Sequence, residues 1–129
     1  MPLTRISLRR GKPAAYRKAI LDGVYLAMRE TFNVPEDDRF MLISEHDADD
    51  FSYGADYLGI RRSDDLVIIQ LTVSNTRNLA QKQALFRRIV ERLSRSAMRP
   101  NSASFCARVR VLLTVSWMMT RSSLRRMPR

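Results

Sequence analysis

The sequence predicts an α/β (α+β) domain built as a tandem βαβ repeat, with a four-stranded sheet and two helices on one face. Three observations predict it. Segments 14–32 and 79–97 carry apolar residues at helical spacing. Each is flanked by short segments with strand-like alternation or a β-branched run. The order strand, helix, strand thus occurs twice, with a polar stretch between the two units. If the strands in each unit are parallel, both crossovers are right-handed. The sheet face away from the helices then has no covering layer, and an apolar uncovered face calls for a homo-oligomer.

Leu3 to Leu8 alternates as a strand. Gly11 and Pro13 break it, and Pro13 suits the first turn of a helix. From Ala14 to Phe32 the residues Tyr16, Ile20, Val24, Ala27 and Met28 fall on one helical face. Asn33-Val34-Pro35 ends that helix. Arg39 to Glu45 reads as a strand through Phe40, Met41, Leu42 and Ile43, which closes a first unit at about residues 2–46. Residues 47–64 read as a long loop with a short strand near Tyr57 to Ile60. Long loops in small domains often carry function. The acids between Asp47 and Asp56 do not follow the spacing of an EF-hand, so a solvated loop is the better reading.

Asp65 to Val73 is the clearest strand, nearly continuous and β-branched, as expected with both faces buried. A turn follows at Ser74-Asn75-Thr76. Leu79 to Ala97 is the clearest helix, with Leu85, Phe86, Ile89, Val90 and Leu93 on one face. Lys82, Arg87, Arg88, Glu91, Arg92 and Arg95 form its wet face, and Pro100 closes it. Val109 to Trp117 reads as the last strand, so the second unit spans about 65–117 and a basic tail occupies 118–129. All 129 residues fit one domain.

Composition narrows the function. No apolar run reaches the ~18 residues of a membrane helix, and no signal-peptide pattern is present. Cys106 and His46 are the single cysteine and histidine. That excludes an intrachain disulfide, argues against zinc and fits a cytoplasmic protein. Cys106 reads as a core residue. The net charge of +10 raises nucleic acid as a partner. However, residues 1–100 hold 17 basic and 13 acidic side chains, whereas 101–129 hold six arginines and no acid. The excess sits mainly in the tail, at Arg121, Arg125, Arg126 and Arg129 among others, without interleaved aromatics or a binding motif. Nucleic acid is therefore the weaker partner class.

Pro2 heads the first strand. Removal of Met1 would leave it as a free secondary amine, a group no side chain offers. Desolvation or a nearby cation lowers the pKa of such an amine, and an amine near neutrality serves as general acid or base at pH 7.

An N-terminal proline on the first of two βαβ units resembles the tautomerase superfamily, and within it the malonate semialdehyde decarboxylase-like branch. The resemblance rests on Pro2, on Phe32-Asn33-Val34-Pro35-Glu36-Asp37-Asp38-Arg39-Phe40 and on Asp65-Leu66-Val67-Ile68-Ile69-Gln70. It continues through Arg77, Ala80-Gln81-Lys82-Gln83-Ala84-Leu85-Phe86 and Glu91-Arg92-Leu93, so it spans residues 2–100. It implies a trimer with sites near subunit boundaries and no metal or organic cofactor. It also implies small carboxylate substrates, namely 2-oxo acids, enols and related acids.

By position, Pro2 matches the catalytic proline. Asp38 matches an aspartate that assists the decarboxylase branch, and Arg77 matches the arginine that grips the substrate carboxylate. A guanidinium suits that task through its bidentate fork and permanent charge. Asn75 stands where the decarboxylase pattern has a second arginine. Trp117 stands near the family tryptophan that walls the site, but Met118-Met119-Thr120-Arg121 departs from the pattern after it. The change of composition after Pro100 resembles an out-of-frame reading of a GC-rich gene. His46, at the end of the second strand, can bind substrate or serve structure, and Tyr53 and Tyr57 in the loop can do either. Three function classes follow: a tautomerase or related decarboxylase or hydratase, a folded but inactive trimer, and a basic nucleic-acid-binding protein.

Overall fold

The computed structural model describes residues 2–57, 59–74, 76–97 and 110–118. The elements in order are β1 (Leu3–Arg9), α1 (Ala14–Phe32), β2 (Phe40–His46), a 3-10 turn (Ala48–Asp50), β3 (Asp56–Tyr57), β4 (Ile60–Arg61), β5 (Leu66–Ser74), α2 (Leu79–Ala97) and β6 (Arg110–Met118). Both helices have the bounds read from their apolar periodicity. Four of the strands lie one residue or so from the expected bounds. The expected short strand in the loop is a small hairpin, β3 against β4, turning through Gly59 at φ 72°. Met1, Asn75, Pro100, Cys106 and the 119–129 tail lie outside the described residues.

The main sheet has the order β2-β1-β5-β6. β1 runs parallel to β2 and β5 parallel to β6, while β1 and β5 are antiparallel at the centre. Each βαβ unit thus supplies one parallel pair, and the two units join back to back.

Period-two alternation decides what is buried. Thr4, Ile6 and Leu8 of β1 and Val67, Ile69, Leu71 and Val73 of β5 point to the helical side and are buried. Tyr16, Ile20, Val24, Met28 and Phe32 of α1 and Leu85, Ile89 and Leu93 of α2 cover them. Val90, expected on the covered face, is 48% exposed. The apolar stripe of α2 is narrower than its sequence suggests, because the helix meets the sheet and α1 along one line. Gly23 lets the helices approach closely there: a Cβ at this position would sit 3.0 Å from Leu93. Glu30 of α1 ties the helices together further, accepting hydrogen bonds from Arg88 and Arg92 of α2.

The opposite face corrects one expectation. β5 is not buried on both sides within the chain: Gln70 is exposed and Ile68 and Thr72 are half-buried. No described helix covers that side, which also exposes Phe40 at 47% and Leu42 at 53%. An open cavity of about 420 Å3 lies over it, lined by Arg5, Ser7, Leu42, Ser44, His46, Ile68 and Gln70.

Candidate active site

Chain register brings Pro2 and Arg77 together. Pro2 immediately precedes β1, and β1 enters the sheet with Leu3 opposite Thr72 of β5. Antiparallel pairing therefore carries the start of β1 to the end of β5. Pro2 is buried. It lines a small cavity of about 20 Å3 with Phe32, Val34, Val73, Ser74 and Arg77. Phe32 and Val34 come from the end of α1, where Asn33 takes the left-handed conformation (φ 52°) that stops the helix. Val73 and Ser74 end β5.

Arg77 is fixed by the start of α2. The Asn78 N–H donates to Gln81 Oε1 at 3.1 Å, and the Gln81 N–H donates back to Asn78 Oδ1 at 2.8 Å. This reciprocal cap satisfies amides that a helix start otherwise leaves without partners. Its signal is the Asn78-Leu79-Ala80-Gln81 stretch, an Asn with a Gln three residues later. Arg77 directly precedes the cap, and its guanidinium lies 5.1 Å from the centre of the Phe32 ring. Among the described residues Arg77 makes no ion pair. A half-buried guanidinium resting on an aromatic ring without a carboxylate is suited to take an anion from outside the chain.

Asp38 reaches the same end of the sheet by a different route. β2 starts opposite β1, with Phe40 facing Leu3 in parallel register. The turn before β2 therefore lies beside the Pro2 end of β1. In that turn the Asp38 N–H donates to the Pro35 carbonyl at 3.3 Å and the Arg39 N–H to the Asp37 carbonyl at 2.8 Å. Asp38 is half-buried. Trp117 is placed by β6 opposite Val73, one of the cavity residues. Asn75 lies outside the described residues.

His46 is not brought to this site. It ends β2 opposite Arg9, at the far end of β1 from Pro2. There it stacks on Phe51, with ring centres 5.7 Å apart, and Phe51 meets Tyr53 edge-on. The Tyr53 hydroxyl donates to Asp64 at 2.7 Å. This hydrogen bond holds the Asp64 carboxyl below its usual range and pushes the Tyr53 phenol up. Within one chain His46 and Tyr53 thus brace the loop and stand apart from Pro2. The sequence missed Phe32, Val34 and Val73 as site walls, because apolar residues at element ends look like any other core residue.

The larger groove between the helices lacks such chemistry. It measures about 460 Å3 and is lined by Asp22, Gly23, Leu26, Arg88, Arg92 and Arg95 among others. Two of its arginines are already engaged by Glu30. Among the described residues, no three His, Cys, Asp or Glu side chains come together as metal ligands would. No described helix is long and apolar enough to cross a membrane.

Comparison with known proteins agrees with this geometry. Residues 2–61 and residues 38–102 match two family models, each described as tautomerase enzyme. A probable tautomerase of Bacillus subtilis (strain 168), YusQ, is 36% identical over 93 residues, covering 72% of this chain and 73% of that protein. A crystal structure of a malonate semialdehyde decarboxylase inhibited by 3-bromopropiolate is similar with a TM-score of 0.70 and 30% identity, over 89% of this chain and 83% of that one. A second malonate semialdehyde decarboxylase, studied for its decarboxylase and hydratase activities, is similar with a TM-score of 0.70 and 27% identity, over 92% and 91%. With the two halves of the sequence matching the same family and the βαβ pairs folding together around Pro2 and Arg77, the chain belongs to the tautomerase family of enzymes.

Proposed function

We propose that the protein is a cofactor-free proton-transfer enzyme in which Pro2, freed by removal of Met1, is the acid–base group. Its substrate is a small 2-oxo acid or the corresponding enol, held through its carboxylate by Arg77. The observation that carries this reading is that Pro2 and Arg77 line one cavity. Phe32, Val34 and Val73 wall the amine with apolar surface, and a guanidinium shares the space. Both effects disfavour the ammonium and lower the amine pKa.

Neutral Pro2 takes the proton from the enol hydroxyl, or from the carbon beside the carbonyl. The resulting ammonium returns a proton to the other atom. Arg77 grips the carboxylate and stabilises the negative charge that develops on the enolate. Asp38 supplies a companion carboxylate at the same end of the sheet. The resemblance to the decarboxylase branch adds Asn75 and Trp117 to the proposed substrate-binding residues. The uncovered sheet face packs in a homotrimer, which puts further protein around the cavity mouth.

A second reading is favoured by Asp38 and by the likeness to malonate semialdehyde decarboxylases. In it Pro2 stays cationic and works with Asp38 on a small 3-oxo acid, by decarboxylation or hydration. The pH profile separates the two. A base mechanism loses rate as pH falls through the Pro2 pKa, whereas a cationic role loses rate as pH rises through it.

The test compares Met1-processed protein, verified by intact mass, with Pro2→Ala in ketonisation of a phenylpyruvate-type enol. A rate above buffer that collapses in Pro2→Ala is expected. Equal rates near background for this enol and for a small 3-oxo acid would sink both readings and leave a folded but inactive protein.

A further inference from the structure

Tyr25 lies on α1 and is only 6% exposed. Its position on an apolar helix face suggests packing alone. Its contacts are more specific. The Tyr25 hydroxyl accepts a hydrogen bond from the Asp37 N–H at 3.1 Å. The Arg39 guanidinium sits 3.9 Å from the centre of the Tyr25 ring, a close cation–π contact. Arg39 also reaches Asp22, on the preceding turn of α1, at 3.5 Å. The residues before and after Asp38 are therefore both docked on one aromatic side chain.

The backbone of this turn needs such support. Asp37 has φ 65°, the left-handed region that a residue with a Cβ enters at a conformational cost. The Tyr25 hydroxyl satisfies the Asp37 amide in that conformation. The Arg39 ring contact then fixes where the chain leaves the turn to start β2. Between them, the Asp38 backbone is set relative to β2 and so relative to Pro2, because β2 and β1 pair in fixed register from Phe40 and Leu3.

We infer that Tyr25 is a positioning residue for the reaction: its hydroxyl and ring hold the Asp37–Arg39 turn so that Asp38 is presented at the Pro2 end of the sheet. This rests on the proposed role of Asp38 in catalysis. Tyr25 touches no reacting atom. It acts through the conformation of the turn, so its contribution exists only while Asp38 carries its carboxylate.

A double-mutant cycle tests this, using Tyr25→Phe and Asp38→Asn in the full-length, Met1-processed protein. Phenylalanine keeps the ring and its cation–π contact and removes only the acceptor for the Asp37 amide. Turnover is followed with a phenylpyruvate-type enol and with a small 3-oxo acid. On the substrate that Asp38→Asn slows, Tyr25→Phe is expected to lower kcat by about 3- to 10-fold with little change in KM. In the Asp38→Asn background it is expected to cost nothing further. Adding Asp37→Gly to Tyr25→Phe relieves the left-handed cost and is expected to recover part of the lost kcat.

Equal factors for Tyr25→Phe with and without Asp38 would overturn positioning while leaving the role of Asp38 intact, as would a wild-type kcat for Tyr25→Phe. Asp38→Asn at the wild-type rate on both substrates would overturn the role of Asp38 and the inference with it. Absence of turnover by the processed wild type on both would overturn the functional reading beneath them.

Discussion

Lys12 forms an ion pair with Asp65 across the ends of β1 and β5, at the end of the sheet opposite the Pro2–Arg77 cavity. The pair has an internal counterpart. Arg5 faces Gln70 at the centre of the antiparallel β1–β5 ladder. Lys12 lies as far along the chain beyond Arg5 as Arg77 lies beyond Gln70, and α1 and α2 start at equivalent distances from those two residues. Exchanging the two βαβ units therefore puts Lys12 where Arg77 stands. One cation borders an open cavity beside a proline, and the other is satisfied by a carboxylate of its own chain. Two similar halves thus yield one candidate site.

Removing that internal carboxylate should affect stability and leave chemistry alone. The Lys12 and Asp65 side chains are 25% and 19% exposed, so the pair is partly desolvated. Asp65→Asn is expected to cost about 1–2 kcal/mol, which lowers Tm by roughly 3–8 °C. Turnover of the enol should be unchanged, because Asp65 lies at the far end of β5 from Pro2. Thermal unfolding and steady-state kinetics on the same preparation check both halves. A normal Tm would show that the pair contributes nothing net.

Arg77→Lys should damage function despite keeping the charge. A lysine ammonium offers a point charge and cannot reproduce the guanidinium fork or its planar contact with Phe32. Loss of bidentate carboxylate binding is expected to lower kcat/KM by about 10- to 100-fold, equivalent to ~1.4–2.8 kcal/mol. Arg77→Ala should lower it further. Kinetics at saturating and subsaturating substrate would separate binding from chemistry. An Arg77→Lys enzyme equal to wild type would remove Arg77 as the carboxylate anchor.

Much of this fold is legible in the sequence because its signals are local. The periodicities of Tyr16 to Phe32 and of Leu85 to Leu93 give both helices, since an amphipathic helix must bury one face. Pro2 and Arg77 could be matched by position, yet their meeting depends on the antiparallel register of β1 and β5, which no single segment encodes. The same limit hid Tyr25: on the helix it is one more apolar position, and its hydrogen bond exists only because the Asp37 turn folds back onto α1. His46 is the converse case. Its chemistry suggested binding, but the parallel register of β2 carries it to the far end of the sheet from Pro2.

Acid should weaken the link between the helices. Hydrogen bonds from Arg88 and Arg92 hold the Glu30 carboxyl down to about 2. The folded-state pKa is depressed, so the stabilisation is fully present above the unfolded carboxylate range. It is lost as pH falls from about 4.5 toward about 2. Glu30→Gln removes this proton linkage. Tm measured between pH 6 and pH 2 (roughly the range over which carboxylates titrate) should therefore fall more steeply for the wild type than for Glu30→Gln, and high salt should shrink the difference. Parallel curves would mean that solvent screening at this exposed pair cancels its effect.

Assembly gives the last prediction, resting on the proposed trimer. The sheet face away from the helices exposes Leu42 and Phe40 on β2, with Ile68 half-buried on β5. Arg5 and Gln70 lie in the same row as Leu42, and Ser7 and Ser44 share the face, so the surface mixes apolar and polar groups, as whole subunit interfaces do. A charge at Leu42 would have to be desolvated on assembly without a partner. Leu42→Asp is therefore expected to shift the protein from trimer to monomer in light scattering coupled to size exclusion. Its helical circular dichroism should persist, because Leu42 points away from the core between sheet and helices. The Pro2-dependent rate should fall with the trimer, since the proposed site draws walls from neighbouring chains. A monomeric Leu42→Asp with full activity would show that one chain suffices for catalysis, and a trimeric one would place the interface elsewhere.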